Sequence, residues 1–310
     1  MKRQKSHSIS VYNLTPGTQI VGYWHQQTFT IIKPLGVGTV GAVYLVKRQD
    51  QALLALKISD NSLSITSEIN VLKKLSKVRG NRLGPCLYDR DDWRINSINC
   101  YSFYTMSYIK GRSFNEAVRN ASVNVLFTLI SQLLDQVEHL HKAGFVLGDV
   151  KVENVMVSDD LKNISFVDVG GITMMGRSIK EYTEFYDRGY WQMGTRYAEV
   201  SYDLFSIAML ALHGIYQKPF KRQEKPSAQL SKKMNQNPAL KPYRTCMEKA
   251  LHGRYTSAKK MKEDLNLITA PSRKRTRSNT HVPSIAHTSI GELIILAVGS
   301  VVLFIVATFY

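Results

Sequence analysis

The stretch from Gly144 to Gly171, GFVLGDVKVENVMVSDDLKNISFVDVGG, limits what this chain can fold into more than any other. It gathers Asp149, Lys151 and Asn154 into one short turn, and a hydrophobic hairpin then leads to Asp168, Val169 and Gly170. A turn rich in Asp and Asn ahead of a V/F strand occurs in many folds, so the segments before it decide its meaning.

Residues 1–25 are polar, carry Pro16 and Gly17, and read as an arm or a first short strand. Phe29 to Pro34 is β-like and leads into GVGTVGAVYLV, where Gly36, Gly38 and Gly41 have the G-x-G-x-x-G spacing and Val43 follows. A dinucleotide site uses that spacing to open a helix. Here AVYLVKRQ and QALLALKIS read as two further strands, with Lys57 in the second. Leu63 to Lys77 has apolar residues at Ile65, Ile69, Leu72 and Leu75, one face of a helix that also carries Glu68. Arg82 to Asp92 is a polar connection, and Ile98 to Tyr108 alternates as a strand. VLFTLISQLLDQVEHLHKAG is a helix with a broad apolar stripe, closed by Gly144.

With D-x-K-x-x-N at 149–154 and D-V-G at 168–170, the chain resembles the eukaryotic-type (Hanks-type) Ser/Thr protein kinases, whose loops carry D-x-K-x-x-N and D-F-G. The chemistry of the residues agrees. Phosphoryl transfer to a hydroxyl needs a carboxylate for the hydroxyl proton and a cation near the moving phosphate, with a carboxylate and an amide oxygen to hold magnesium.

The resemblance implies an α+β, bilobal protein-kinase-like fold with a small β-rich lobe and a larger helical lobe. It implies ATP and Mg2+ as cofactors, with Mn2+ as a substitute, and proteins as substrates, the chain itself included. By this likeness Asp149 and Lys151 are catalytic, and Asn154 and Asp168 are metal ligands. Gly36, Gly38, Gly41 and Val43 cover the nucleotide, while Lys57 holds its α and β phosphates and pairs with Glu68. Met106 is the gatekeeper, and Ser107 to Ile109, with Tyr108 at its centre, is the hinge along adenine. Asp203 braces the catalytic loop and Arg254 closes the lobe.

The chain also departs from the pattern. The family's H-R-D is Leu147, Gly148 and Asp149 here. Losing the histidine removes a scaffold and no reacting group. Losing the arginine removes the partner of a phosphorylated activation-loop residue, so activation is expected to bypass that clamp, although Ser178, Tyr182, Thr183, Tyr186 and Thr195 lie in the segment. The G-D form is also similar to small-molecule kinases, yet Lys151 is the Ser/Thr protein kinase choice. No clean A-P-E follows, and YDRGYW is expected in its place. A membrane-tethered pseudokinase scaffold and a small-molecule kinase are therefore the alternatives to an active protein kinase. The six retained polar groups favour the enzyme.

Charge points to further partners. Of a net +17, a surplus of 13 falls between Gln217 and Arg277, where 17 basic residues meet 4 acidic ones. Such a field attracts anionic lipid, acidic proteins or nucleic acid without sequence preference. Cys86, Cys100 and Cys246 lack metal-ligand spacing and read as core thiols in a reducing compartment. No apolar run follows the basic N-terminus, so no secretory signal is expected. Leu293 to Tyr310 holds 18 residues without a charge, about 27 Å as a helix and near the thickness of bilayer hydrocarbon. The expected organisation is an arm at 1–25, a kinase domain at 26–267, a basic juxtamembrane linker at 268–290 with Arg273, Lys274, Arg275 and Arg277, and a transmembrane helix at 291–310. The chain would be a single-pass, tail-anchored cell-membrane protein with its kinase domain in the cytoplasm. Gly299 and Ser300 would permit a homodimer through the span. In this form it resembles short membrane-bound Ser/Thr kinases of spore-forming bacilli.

Overall fold

The computed structural model describes residues 11–38, 40–77, 84–97 and 99–269. Strands β1 (Gln19–Val21), β2 (Thr28–Gly38), β3 (Gly41–Arg48), β4 (Leu53–Ser59), β5 (Leu87–Arg94) and β6 (Cys100–Ser107) form one antiparallel sheet in the order β1-β2-β3-β4-β6-β5. Strands β3 and β4 are apolar along most of their length because both faces of the sheet are covered. On one face Val11, Leu14, Ile20, Phe29, Tyr44, Leu56 and Phe103 pack together. Helix α1 (Ser62–Leu75) lies on the other, where Ile65, Ile69 and Leu72 meet Ala55, Tyr104 and Met106. The helix begins where the Asn61 side chain accepts the Ser64 N–H at 3.1 Å.

The larger, mainly helical lobe follows. Strand β7 (Arg112–Ser113) leads to α2 (Phe114–Val118) and α3 (Val123–Lys142), then to β8 (Phe145–Val146), β9 (Val155–Val157), β10 (Ile164–Phe166) and β11 (Thr173–Met174). Helices α4 (Val200–Tyr216), α5 (Pro226–Gln236), α6 (Arg244–Leu251) and α7 (Ala258–Thr269) complete it. The periodic stripe of α3 buries Leu126, Ile130, Leu133, Leu134 and Val137, and Gly144, in the left-handed region at φ +84°, turns the chain into β8. Helix α4 is buried on every side from Tyr202 to Gly214, which makes it the central rod of the lobe. Two short hairpins present the loops singled out in the sequence: β9 pairs with β10, and β8 pairs with β11.

Three expectations change. Of the two readings of the N-terminal segment, the first short strand is present at Gln19–Val21, and residues 11–18 are packed against the sheet rather than forming an arm. Val11 and Leu14 are buried against the sheet, β1 pairs with β2, and the buried Tyr44 hydroxyl donates to the Val11 carbonyl at 2.9 Å and accepts the Leu14 N–H at 3.0 Å. The domain therefore starts by residue 11, because the outer face of the sheet needs an apolar cover that a polar-looking segment supplies with a few residues. The polar connection read over Arg82 to Asp92 contains β5, an edge strand in which only Asp91 and Trp93 turn inward. Its polarity misleads because Asp91 is buried to accept the N–H groups of Trp24 and His25, at 2.9 and 2.8 Å. Of the cysteines only Cys246 is a core thiol, since Cys100 is exposed at the start of β6 and Cys86 is half-buried.

The linker read at 268–290 lies outside the described residues from 270 onward, as does the span read at 291–310. Among the described residues no helix is long and apolar enough to cross a membrane.

Tyr44→Phe, which keeps the ring and removes both hydrogen bonds to residues 11–14, should lower the unfolding free energy by about 1–3 kcal/mol in urea denaturation. A stability unchanged from the parent chain would return residues 11–14 to the status of an arm.

Candidate active site

Lys57 on β4 and Glu68 on α1 face each other across the sheet surface, with Lys57 Nζ 2.7 Å from Glu68 Oε2. The same ammonium lies 3.5 Å from Asp168 Oδ1. Burial favours the neutral form of Lys57, but the charges of Asp168 and Glu68 outweigh it and raise its pKa. Asp168 mirrors this. Burial opposes its charge, yet Lys57, the Gly170 N–H at 2.9 Å and Lys151 together hold its carboxyl below the ordinary value.

The catalytic turn is tied inward. Lys151 Nζ donates to Asp149 Oδ2, and Asn154 Nδ2 donates to the Asp149 carbonyl at 3.0 Å and to Oδ2 at 3.3 Å. Spending Nδ2 in this way leaves the Asn154 amide oxygen for a cation. With Asp168 it forms the hard-oxygen donor set that suits magnesium. The loop at Gly36 and Gly38 also fits a nucleotide. A Cβ at Gly36 would meet nothing within 4 Å, and at Gly38 only the Gly41 carbonyl at 3.8 Å, so no packing within the protein requires these glycines. Such open glycines would let backbone approach a phosphate closely. Val43 and Met106 flank the apolar core between the lobes, and Tyr108 is half-buried just after β6. The structure thus brings Lys57, Glu68, Asp149, Lys151, Asn154 and Asp168 to one cleft, with Gly41 at the turn into β3 beside it.

Asp203 braces the catalytic loop as the resemblance implies, while His141, Thr183 and Glu181 were not legible as parts of this site. The Asp203 carboxylate, fully buried on α4, accepts the N–H groups of Leu147 at 2.8 Å and Gly148 at 3.1 Å. His141 Nε2 on α3 donates to the same carboxylate at 2.8 Å. Its signal was a polar residue on the apolar stripe of α3. Thr183, singled out only as a hydroxyl, donates to Asp149 Oδ1 at 2.9 Å. Glu181 brings another carboxylate: a Cβ at Gly170 would lie 3.2 Å from Glu181 Oε2 and 3.3 Å from Asp168 Oδ1. Burial and the charge of Asp168 raise its pKa.

Two readings of the activation segment are corrected. YDRGYW does not stand in the place of A-P-E: Tyr186, Asp187, Arg188 and Trp191 are all enclosed, ahead of the segment that enters α4. The acid that leads into α4 is Glu199, 2.5 Å from Arg188 Nη2. Arg188 stands only 11 residues before Glu199 and reaches it first, so Arg254 is left exposed and does not close the lobe through that acid.

The glycine before Asp149 has a steric reason. Gly148 sits at φ +78°, and a Cβ there would come within 2.5 Å of the Gly171 carbonyl. The space of the missing arginine is filled by the start of the activation segment.

The family described as "Protein kinase domain" matches residues 29–278. The chain is 46% identical over 254 residues to the serine/threonine-protein kinase YabT of Bacillus subtilis, covering 82% of this chain and 75% of that protein. It is 26% identical over 164 residues to the sporulation protein kinase mde3 of Schizosaccharomyces pombe, covering 48% of this chain and 28% of that protein. Among solved structures, that of vaccinia related kinase 3 superposes with a TM-score of 0.62 at 15% identity, covering 84% of this chain and 92% of that one, a likeness of fold.

Gly148→Ala should cost about 1–3 kcal/mol of stability in urea unfolding. Gly36→Ala, with nothing near its Cβ, should stay within about 0.5 kcal/mol of the parent. Equal effects at the two positions would contradict the contact between the catalytic loop and the activation segment.

Proposed function

The chain belongs to the protein kinase family, and from that premise we propose how its cleft carries out ATP-dependent phosphorylation of serine and threonine hydroxyls on proteins, its own among them. It is a serine/threonine protein kinase. The observation that carries the catalytic assignment is the state of Asp149: one carboxylate oxygen is held by Lys151 and Asn154, the other by Thr183.

A carboxylate fixed at both oxygens is aimed before the acceptor arrives. Asp149 takes the proton of the incoming hydroxyl as the oxygen attacks phosphorus, and Thr183 keeps the activation segment in register beside it. Lys151, paired to Asp149, lies close enough to balance negative charge on the transferred group. Lys57, kept protonated by Asp168 and Glu68, binds the non-transferred phosphates. Asn154 and Asp168 would hold magnesium, which when bound offsets the charge of the triphosphate and orients it. A scaffold without chemistry would have little use for this set, and the docked activation segment suits a protein acceptor better than an enclosed small molecule.

With ATP and magnesium, the full chain in detergent micelles should transfer phosphate to Ser or Thr, located by mass spectrometry. Asp149→Asn and Lys57→Ala should each reduce the rate by about 100-fold or more. Transfer at the parent rate in Asp149→Asn would remove that residue from the reaction.

The chain's location and its other partners rest on sequence and charge. Residues 291–310 would anchor the chain with the kinase domain on the ATP-containing side. The uncharged run from Leu293 to Tyr310 and the basic residues Arg273 to Arg277 support this. Basic residues near anionic lipid contribute about 1 kcal/mol each. Lys218, Lys221, Lys225 and Lys232 are exposed on the large lobe and would serve an anionic surface, whether lipid or nucleic acid. The neighbouring charge is partly occupied, since Lys262 pairs with Asp135 at 2.6 Å and Lys233 lies 4.7 Å over the Tyr216 ring. The full chain should co-float with neutral vesicles in high salt and lose this on deletion of residues 291–310. Crosslinking in those vesicles reads pairing through Gly299 and Ser300. Retention of the non-specific duplex by the deleted chain, falling steeply with salt and lost on neutralising the four lysines, would support the nucleic-acid surface; no retention at low salt would remove it.

A further inference from the structure

Lys57 and Tyr104 are directly opposite each other in the antiparallel register of β4 and β6, so their side chains leave the same face of the sheet. That face is the one on which α1 lies. Glu68, inward on α1, meets both: its Oε2 atom is 2.7 Å from Lys57 Nζ and accepts the Tyr104 hydroxyl at 2.8 Å. The second oxygen accepts the Ser64 hydroxyl, one helical turn earlier, at 3.3 Å. All three of Lys57, Glu68 and Tyr104 are buried, at 8%, 4% and 1% exposure. A carboxylate in such surroundings needs every donor it has, because water cannot replace one that is lost.

We propose that Tyr104 is a positioning residue whose hydroxyl latches α1 to the sheet, so that the Lys57–Glu68 pair stands assembled without a phosphate on the activation segment. The inference rests on the kinase reading above and adds its regulation. Two contacts make such a latch sufficient. The activation segment is already docked by Thr183 on Asp149, and Gly148 offers no cation for a phosphate to engage. Helix α1 packs on the sheet through Ile65, Ile69 and Leu72, but without the phenol its carboxylate would reach the sheet through a single ammonium. With the phenol added, the carboxylate is held from two strand positions at a fixed spacing. Tyr104 touches neither nucleotide nor acceptor in this reading and acts only through Glu68.

The test uses the full chain in detergent micelles as four forms: parent, Tyr104→Phe, Glu68→Gln and the double variant. Tyr104→Phe keeps the buried ring, and it should raise KM for ATP about tenfold, the scale of one hydrogen bond to a charged group. KM for a protein acceptor should stay within twofold. Amide exchange along α1 should quicken, and the effect of Tyr104→Phe should shrink in the Glu68→Gln background, whose uncharged amide accepts the phenol more weakly. Phosphatase treatment of the parent should leave KM for ATP within twofold. Three results would overturn the proposal: a lowered melting temperature with KM for ATP and α1 exchange at parent values, an undiminished effect in the Glu68→Gln background, or a tenfold rise in KM on dephosphorylation. Should the parent transfer no phosphate, α1 exchange in the four forms still reads the latch, which separates its failure from that of the kinase reading.

Discussion

The buried carboxylate of Asp203 is the constraint on which the arrangement of the large lobe depends. A charge with no exposed surface is tolerated only when hydrogen bonds replace its hydration. Here two backbone N–H groups of the catalytic loop and the His141 ring do so. The consequence runs in both directions. The carboxylate holds the loop at Leu147 and Gly148, and the loop's N–H groups make the carboxylate affordable on a helix that is otherwise apolar all round. Helices α3 and α4 are thereby joined to the chain just before Asp149.

A second layer of constraint lies between the catalytic loop and the activation segment. The pairing of β8 with β11 and the bond from Thr183 to Asp149 hold the segment against the loop at two points, and the two stretches pass so closely that a Cβ at Gly148 would meet the Gly171 carbonyl. Arg188 and Glu199 then close the segment onto the start of α4. A kinase that relies on an arginine and a phosphate for this docking can release it. In this chain Gly148 offers no such cation, and the β8–β11 pairing and the Thr183–Asp149 bond lie at that junction.

The electrostatics of the cleft follow from this geometry. Lys57 and Lys151 face the carboxylates of Glu68, Asp149 and Asp168, with Glu181 added from the activation segment. The surplus of negative charge suits a divalent cation, and burial first, then the charge of Asp168, raises the pKa of Glu181. Beyond the cleft, Lys218, Lys221, Lys225 and Lys232 form an exposed basic stretch on the large lobe.

Periodicity and loop chemistry were enough to read most elements: the alternating strands of the small lobe, the stripes of α1 and α3, and the loop bearing Asp149, Lys151 and Asn154. Local pattern could carry these because burial of one face imposes a repeat of two or 3.6 residues along the chain itself. It failed at Val11 and Leu14 and at β5, where an edge of the domain buries only a residue or two among polar neighbours. It failed again wherever a charge chooses among partners. Glu199 takes Arg188 and not Arg254, and Glu68 takes Tyr104 as well as Lys57. His141 meets Asp203 across 62 residues. Residue types at fixed spacings determine which chemistry the chain can hold. Which donor reaches which buried acid is decided only when helices and sheet pack, because distance in space, and no feature of the local sequence, sets those energies.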